Sequence, residues 1–166
     1  MIVIVFGVSG AGKTLIGKML AQERGWIFDD ADDFHSSANI AKMKRGEALT
    51  DVDREPWIGK LRLRLRDHLT RGENAVLACS ALKESYRRLL QIDPGVRFVY
   101  LHADELLLEQ RLYNRRGHFM NPDLLESQFA ALEEPRPAEH VIVVEVDRPP
   151  REIVIEIHAR LEAVNG

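Results

Sequence analysis

Cysteine is almost missing: Cys79 is the only one in 166 residues. That excludes an intramolecular disulfide and a zinc site built from several thiolates, and it fits a reducing, cytoplasmic setting. Neither sign of charge dominates, since 23 Lys and Arg meet 26 Asp and Glu for a net charge of −3 and a pI near 6.1. The basic excess of a nucleic-acid partner is therefore absent. The first residues, MIVIVFG, are apolar but carry no charged n-region and run straight into a glycine-rich stretch. They predict a strand, with no signal peptide and no membrane span. Internal repeats, low-complexity tracts and linkers are also missing, so a single domain over 1–166 is expected.

What is present has a globular balance, 45% hydrophobic and 30% charged. Short apolar or β-branched runs recur: IVIVF (2–6), WIF (26–28), AVLAC (75–79), VRFVYL (96–101) and VIVVEV (141–146). Several are apolar on consecutive residues, which suits strands covered on both faces of a parallel sheet. Between them, residues 13–23, 54–71, 81–91, 104–116 and 150–163 carry apolar side chains at helical spacing. The segment KLRLRLR (60–66) also alternates strictly, as a strand would. A helix is preferred because Trp57, Leu61, Leu65 and Leu69 keep a four-residue spacing beyond the alternating part, with Pro56 in its first turn and Gly72 after its end. Its arginines read as a solvated face. The pattern is α/β.

Residues 7–14, GVSGAGKT, satisfy G-x-x-x-x-G-K-[ST] between the first strand and the first helical pattern, the context this phosphate-binding motif requires. Gly7, Gly10 and Gly12 permit backbone conformations in which the amides of Val8, Ser9, Ala11 and their neighbours turn inward on phosphate oxygens. The following helix adds its positive end, Lys13 adds a point charge at the β- and γ-phosphates, and Thr14 offers a hydroxyl to magnesium. A glycine-rich turn matching by accident is expected on the order of once in a hundred such chains. Nucleoside triphosphate binding follows.

Residues 28–40, FDDADDFHSSANI, crowd Asp29, Asp30, Asp32 and Asp33 together. A kinase acting on a small alcohol needs one carboxylate to orient the hydroxyl and take its proton, and a way to keep magnesium in place. Strand alternation would send Asp30 and Asp32 to one side and Asp29 and Asp33 to the other. Spacing alone fits equally well an acidic turn in which Asp33 caps the next helix.

Three blocks resemble the gluconokinases, a shikimate-kinase-like branch of P-loop kinases: DADDFHSSANIAKMKRGEALTDVDREPW (30–57), CSALKESYRRLL (79–90) and RRGHFMNPDLLESQFAALEEP (115–135). With the P-loop they span most of the chain. The resemblance implies a P-loop NTPase three-layer fold, with a five-stranded parallel sheet of order 2-3-1-4-5, helices on both faces, and a lid around 111–135. It implies ATP and Mg2+ as cofactors and transfer of the γ-phosphoryl group to the 6-hydroxyl of D-gluconate, giving 6-phospho-D-gluconate. A homodimer is implied as well.

By the same resemblance, Asp32 matches the base that holds the acceptor hydroxyl, Asp30 the carboxylate near magnesium, and His35 the start of the substrate-side segment. Arg54 lies in the DxDRxPW part, and its planar fork suits a carboxylate; Trp57 there reads as packing. Lys83, Tyr86 and Arg87 stand at i, i+3 and i+4, so a helix puts them on one face toward the anionic substrate. On the lid, Arg115 is suited to neutralise charge on the transferring phosphoryl group, and Arg111 to lie against adenine near DRPP (147–150). His118 and Gln128 fall on the substrate side. The chain departs from the family pattern at Leu15, Ala31 and Ser36, and at Asn121, inserted between Met120 and Pro122. The alternatives are a kinase for another small sugar acid or shikimate-like acid, and a non-catalytic nucleotide-binding switch.

Overall fold

The computed structural model describes residues 1–114 and 122–165. Five strands, β1 (Ile2–Phe6), β2 (Ile27–Asp30), β3 (Ala75–Cys79), β4 (Val96–His102) and β5 (Ile142–Glu145), form one sheet in the order β2-β3-β1-β4-β5. Every pairing is parallel. This is the α/β architecture, and the strand order, that the family resemblance implies.

The central strand β1 is wholly buried, and alternation divides its side chains between two layers. Val3 and Val5 join Ile16 and Leu20 of α1 (Lys13–Arg24) and Val154 and Ile157 of α7 (Pro150–Asn165). Ile2, Ile4 and Phe6 join Trp57, Leu61 and Leu65 of α3 (Asp51–Thr70) and Leu90 of α4 (Glu84–Leu90). Each buried leucine or isoleucine contributes roughly 1.5–3 kcal/mol by leaving water.

The alternating segment 60–66 is helical. Leu61 and Leu65 are buried while Leu63 is 60% exposed, a split that a strand, which sends all three to one side, could not produce. The helix begins earlier than the apolar spacing predicts, because Thr50 and Asp53 form a reciprocal capping box. Pro56 therefore lies beyond the first turn. A shorter helix, α2 (Ser37–Lys44), follows the acidic stretch, and its cap is Ser36, whose hydroxyl accepts from the Asn39 amide. Asp33 caps nothing there. The helices α5 (Glu105–Asn114) and α6 (Pro122–Ala131) lie on either side of 115–121. Among the described residues, no helix is long and apolar enough to cross a membrane.

Candidate active site

The P-loop turns between β1 and α1 at the carboxyl end of the sheet, where α/β folds place their ligands. Two glycines make the turn possible. Gly7 has φ 149°, and a Cβ there would stand 2.8 Å from the Leu101 carbonyl; Gly12 has φ 99°. Lys13 Nζ donates to the Val8 carbonyl at 3.0 Å, which curls the side chain over the loop. Burial lowers the Lys13 pKa, opposed by the charges of Asp32, Cys79 and Asp30.

Beside the loop, β2 delivers the acidic turn. Asp30 Oδ2 accepts from the Thr14 hydroxyl at 2.8 Å and its Oδ1 accepts from the Asp32 amide at 3.0 Å. The expected pairing of Asp30 with Asp32 on one side holds, but not through strand alternation. The strand ends at Asp30, and a 3-10 turn over Ala31–Phe34 carries Asp32 into the cleft. Asp29 does point away, toward α3: Arg64 donates to it at 2.9 and 3.1 Å and His68 Nε2 lies 2.6 Å off. Burial works against ionisation of Asp29, yet the Arg64 and His68 hydrogen bonds hold its carboxyl below the usual range.

The cleft has a volume of about 470 Å³ and is lined by P-loop residues together with Asp30, Asp32, His35 and Arg54. Crowding by the cleft walls, then the Asp30 charge, pushes the Asp32 pKa up, while Lys13 pulls it down. The Asp32 side chain nevertheless stays 84% exposed, open to an incoming hydroxyl. His35 stacks on Trp57 with ring centroids 4.4 Å apart, and its Nδ1 is buried without a partner. Desolvation, then the Arg54 charge, drops its pKa to about 4, so the ring is neutral. Trp57 packs as expected, with one polar addition: its indole N–H donates to the Ala31 carbonyl at 2.7 Å. Cys79 also lines the cleft, but burial pushes its thiol up to about 12, which removes it as a nucleophile.

A smaller cavity of about 300 Å³ adjoins, sharing Leu49, Arg54 and Ala131 with the first. Here the sequence reading needs correction. Lys83 and Tyr86 face this cavity, but Arg87 does not. The helix α4 begins only at Glu84, so Lys83 precedes it and the shared face is lost. Arg87 turns into the core, 2% exposed, with Nε 2.6 Å from Glu139 and NH1 donating to the Ala81 and Leu82 carbonyls. It braces the fold. Lys83 and Tyr86 are held in turn by Asp51, which accepts from Lys83 at 2.8 and 2.9 Å and from the Tyr86 hydroxyl. Asp51 stands three residues before Arg54, and that helical spacing was the signal by which it could have been found. The Arg54 side chain forms no hydrogen bond or salt bridge among the described residues and lies 5.8 Å from the Tyr86 ring centroid.

Gln128, expected on the substrate side, reaches the P-loop: its Oε1 accepts from the Ser9 amide at 2.7 Å and its Nε2 donates to the Ser9 hydroxyl at 3.0 Å. Arg111 donates to the Val146 carbonyl, which brings it beside 147–150. Arg115 and His118 lie outside the described residues.

Thr14 and Asp30 are hard oxygen donors next to the phosphate loop, the kind of partial shell magnesium takes. Among the described residues, no three His, Cys, Asp or Glu side chains gather as a metal site. Phosphate oxygens and water would have to complete the coordination.

A family profile described as "AAA domain" matches residues 2–135. The gluconokinase of Gluconobacter oxydans (strain 621H) is 42% identical over 161 residues, covering 96% of this chain and 90% of that protein. The crystal structure of a gluconokinase from Sinorhizobium meliloti 1021 superposes with a TM-score of 0.88 at 41% identity, over 98% of this chain and 91% of that one. Shikimate kinase from Aquifex aeolicus vf5 shares the fold at a TM-score of 0.61 and 18% identity, over the full length of both chains.

Proposed function

The chain belongs to the gluconokinase family of P-loop kinases, and on that premise we propose that it transfers the γ-phosphoryl group of ATP to the 6-hydroxyl of D-gluconate. The observation that carries the reading is Asp32, an accessible carboxylate lining the cleft beside Lys13 and the Thr14–Asp30 pair.

In this reading Asp32 accepts the hydroxyl proton as the acceptor oxygen bonds to the γ-phosphorus, and the bond to the β–γ bridging oxygen breaks, leaving ADP and 6-phospho-D-gluconate. A pKa raised toward the working pH suits a general base. Lys13 lies against the β- and γ-phosphates. Thr14 and Asp30 would hold magnesium, whose charge, when it is bound, would screen the phosphate oxygens. The neutral ring of His35 lines the acceptor side of the cleft, with Nε2 4.0 Å from Asp32 Oδ1. Arg54, whose side chain forms no salt bridge among the described residues, is the anchor for the substrate's acid group. Lys83 and Tyr86, tied to Asp51, form a charge-balanced wall for the remaining hydroxyls. The lid around 111–135, with Arg115 and His118, the adenine contact of Arg111, the homodimer and the cytoplasmic setting belong to the same proposal and rest on the family resemblance.

The test is ADP release with magnesium-ATP against a panel of sugar acids, free sugars, shikimate and nucleoside monophosphates, with Asp32→Asn as control. Gluconate-dependent turnover that collapses in the variant is expected. Equal turnover without an acceptor, or a fully active variant, contradicts the reading.

A further inference from the structure

The strand β2 is an edge strand of four residues, bonded only to β3. One-sided pairing leaves its rotation about its own axis weakly fixed, yet that rotation decides where Asp30 lands beside Thr14. The opposite side of the strand supplies what the ladder does not.

Asp29, the residue before Asp30, is gripped by two side chains one turn apart on α3. Arg64 binds both carboxylate oxygens, at 2.9 and 3.1 Å, and His68 Nε2 lies 2.6 Å from Oδ2. The other ring nitrogen of His68 lies 2.7 Å from Glu73 Oε2. His68 is fully buried, with each ring nitrogen against a carboxylate. Both ring nitrogens of His68 and both carboxylate oxygens of Asp29 thereby have a partner within the fold. The same helix reaches the turn again two residues on, where Trp57 donates to the Ala31 carbonyl.

We propose that Arg64 and His68 are positioning residues for the magnesium-facing carboxylate: by clamping Asp29 on the back of β2 they aim Asp30 at Thr14 on the front. The proposal rests on the assignment of Asp30 to magnesium. It needs no contact between the clamp and any ligand. Residues that orient a metal ligand from behind typically carry a 10- to 100-fold share of metal affinity.

Calorimetry with a non-hydrolysable ATP analogue, in magnesium and in EDTA, tests it without turnover. His68→Gln and Arg64→Gln are compared with wild type and with Asp30→Asn, well below each variant's melting temperature. Arg64 is partly exposed, so its variant folds even where the buried His68 change does not. Wild type binds more tightly in magnesium than in EDTA. Both clamp variants are expected to lose about tenfold of that magnesium-dependent gain while keeping the affinity in EDTA within about twofold. Loss of the gain in Asp30→Asn with full retention in both clamp variants overturns the clamp alone. An undiminished gain in Asp30→Asn overturns the magnesium assignment and the clamp with it. A parallel drop in both media marks a merely structural role and also overturns it.

Discussion

Gln128 holds Ser9 at two points, accepting from the backbone amide at 2.7 Å and donating to the hydroxyl at 3.0 Å, across 119 residues of sequence. A P-loop binds phosphate through its inward amides, so Gln128 and a phosphate oxygen compete for the same donor.

Gln128→Ala should therefore tighten nucleotide binding. A hydrogen bond is worth about 0.5–1.5 kcal/mol net, so a gain of roughly two- to tenfold in affinity for a non-hydrolysable ATP analogue is expected. Titration calorimetry reads it directly. Unchanged or weaker binding would mean that the Ser9 amide is not among the phosphate donors.

Asp32→Asn removes the base and keeps the shape of the turn, whose geometry depends on the Asp32 amide and not on its carboxylate. Loss of general base catalysis lowers kcat by about 10²- to 10⁴-fold. The KM for ATP should move little. A comparable rise in that KM would place Asp32 in nucleotide binding instead.

Arg54→Gln removes the cation assigned to the acid group. A charge-assisted hydrogen bond contributes about 1.5–3 kcal/mol, so KM for the sugar acid should rise about tenfold or more. Weak turnover of the corresponding uncharged sugar, where it can be measured, should be unaffected. An equal loss for both acceptors would show that Arg54 shapes the pocket without reading charge.

The buried ring of His35 sets an acid limit on stability. Its folded pKa of about 4 lies below the ordinary histidine value of 6.5, so between these values the unfolded chain binds more protons than the folded one. The stability this histidine contributes is complete above about pH 6.5 and declines as pH falls toward 4. Replacing it by Phe preserves the stack on Trp57 and removes the titration. The melting temperature of wild type should thus fall relative to His35→Phe as pH drops through that window; a constant gap contradicts the account.

Local chemistry was legible in the sequence and long-range pairing was not. GVSGAGKT, IVIVF and AVLAC state their own conformations, because glycine spacing and apolar runs act through neighbouring residues. Arg87 looked like its neighbours Lys83 and Tyr86 until the fold placed Glu139 against it, and nothing near residue 87 announces that partner. Asp51 was hidden in the same way behind the arginine that follows it. Asp32 came to its expected place by a different route, a 3-10 turn where alternation had been invoked. The sequence carried the need for two carboxylates; tertiary contacts from α3 decided how they are presented.

That helix also sets a length. One rod of 20 residues, about 30 Å long, carries Arg54 near one end and the grip on the acidic turn through Trp57, Arg64 and His68 farther along. The proposed anchor for the acid group and the mounting of the proposed base thus share one helix. On the proposed roles of Arg54 and Asp32, a span set by one helix would gauge carbon-chain length, and an aldonic acid one carbon shorter is expected to lose one of the two contacts. A misplacement of about 1 Å costs on the order of a hundredfold in rate, so kcat/KM for five-carbon acids against six-carbon acids is the measure of how stiff the gauge is, and similar values for the two would show that it does not operate.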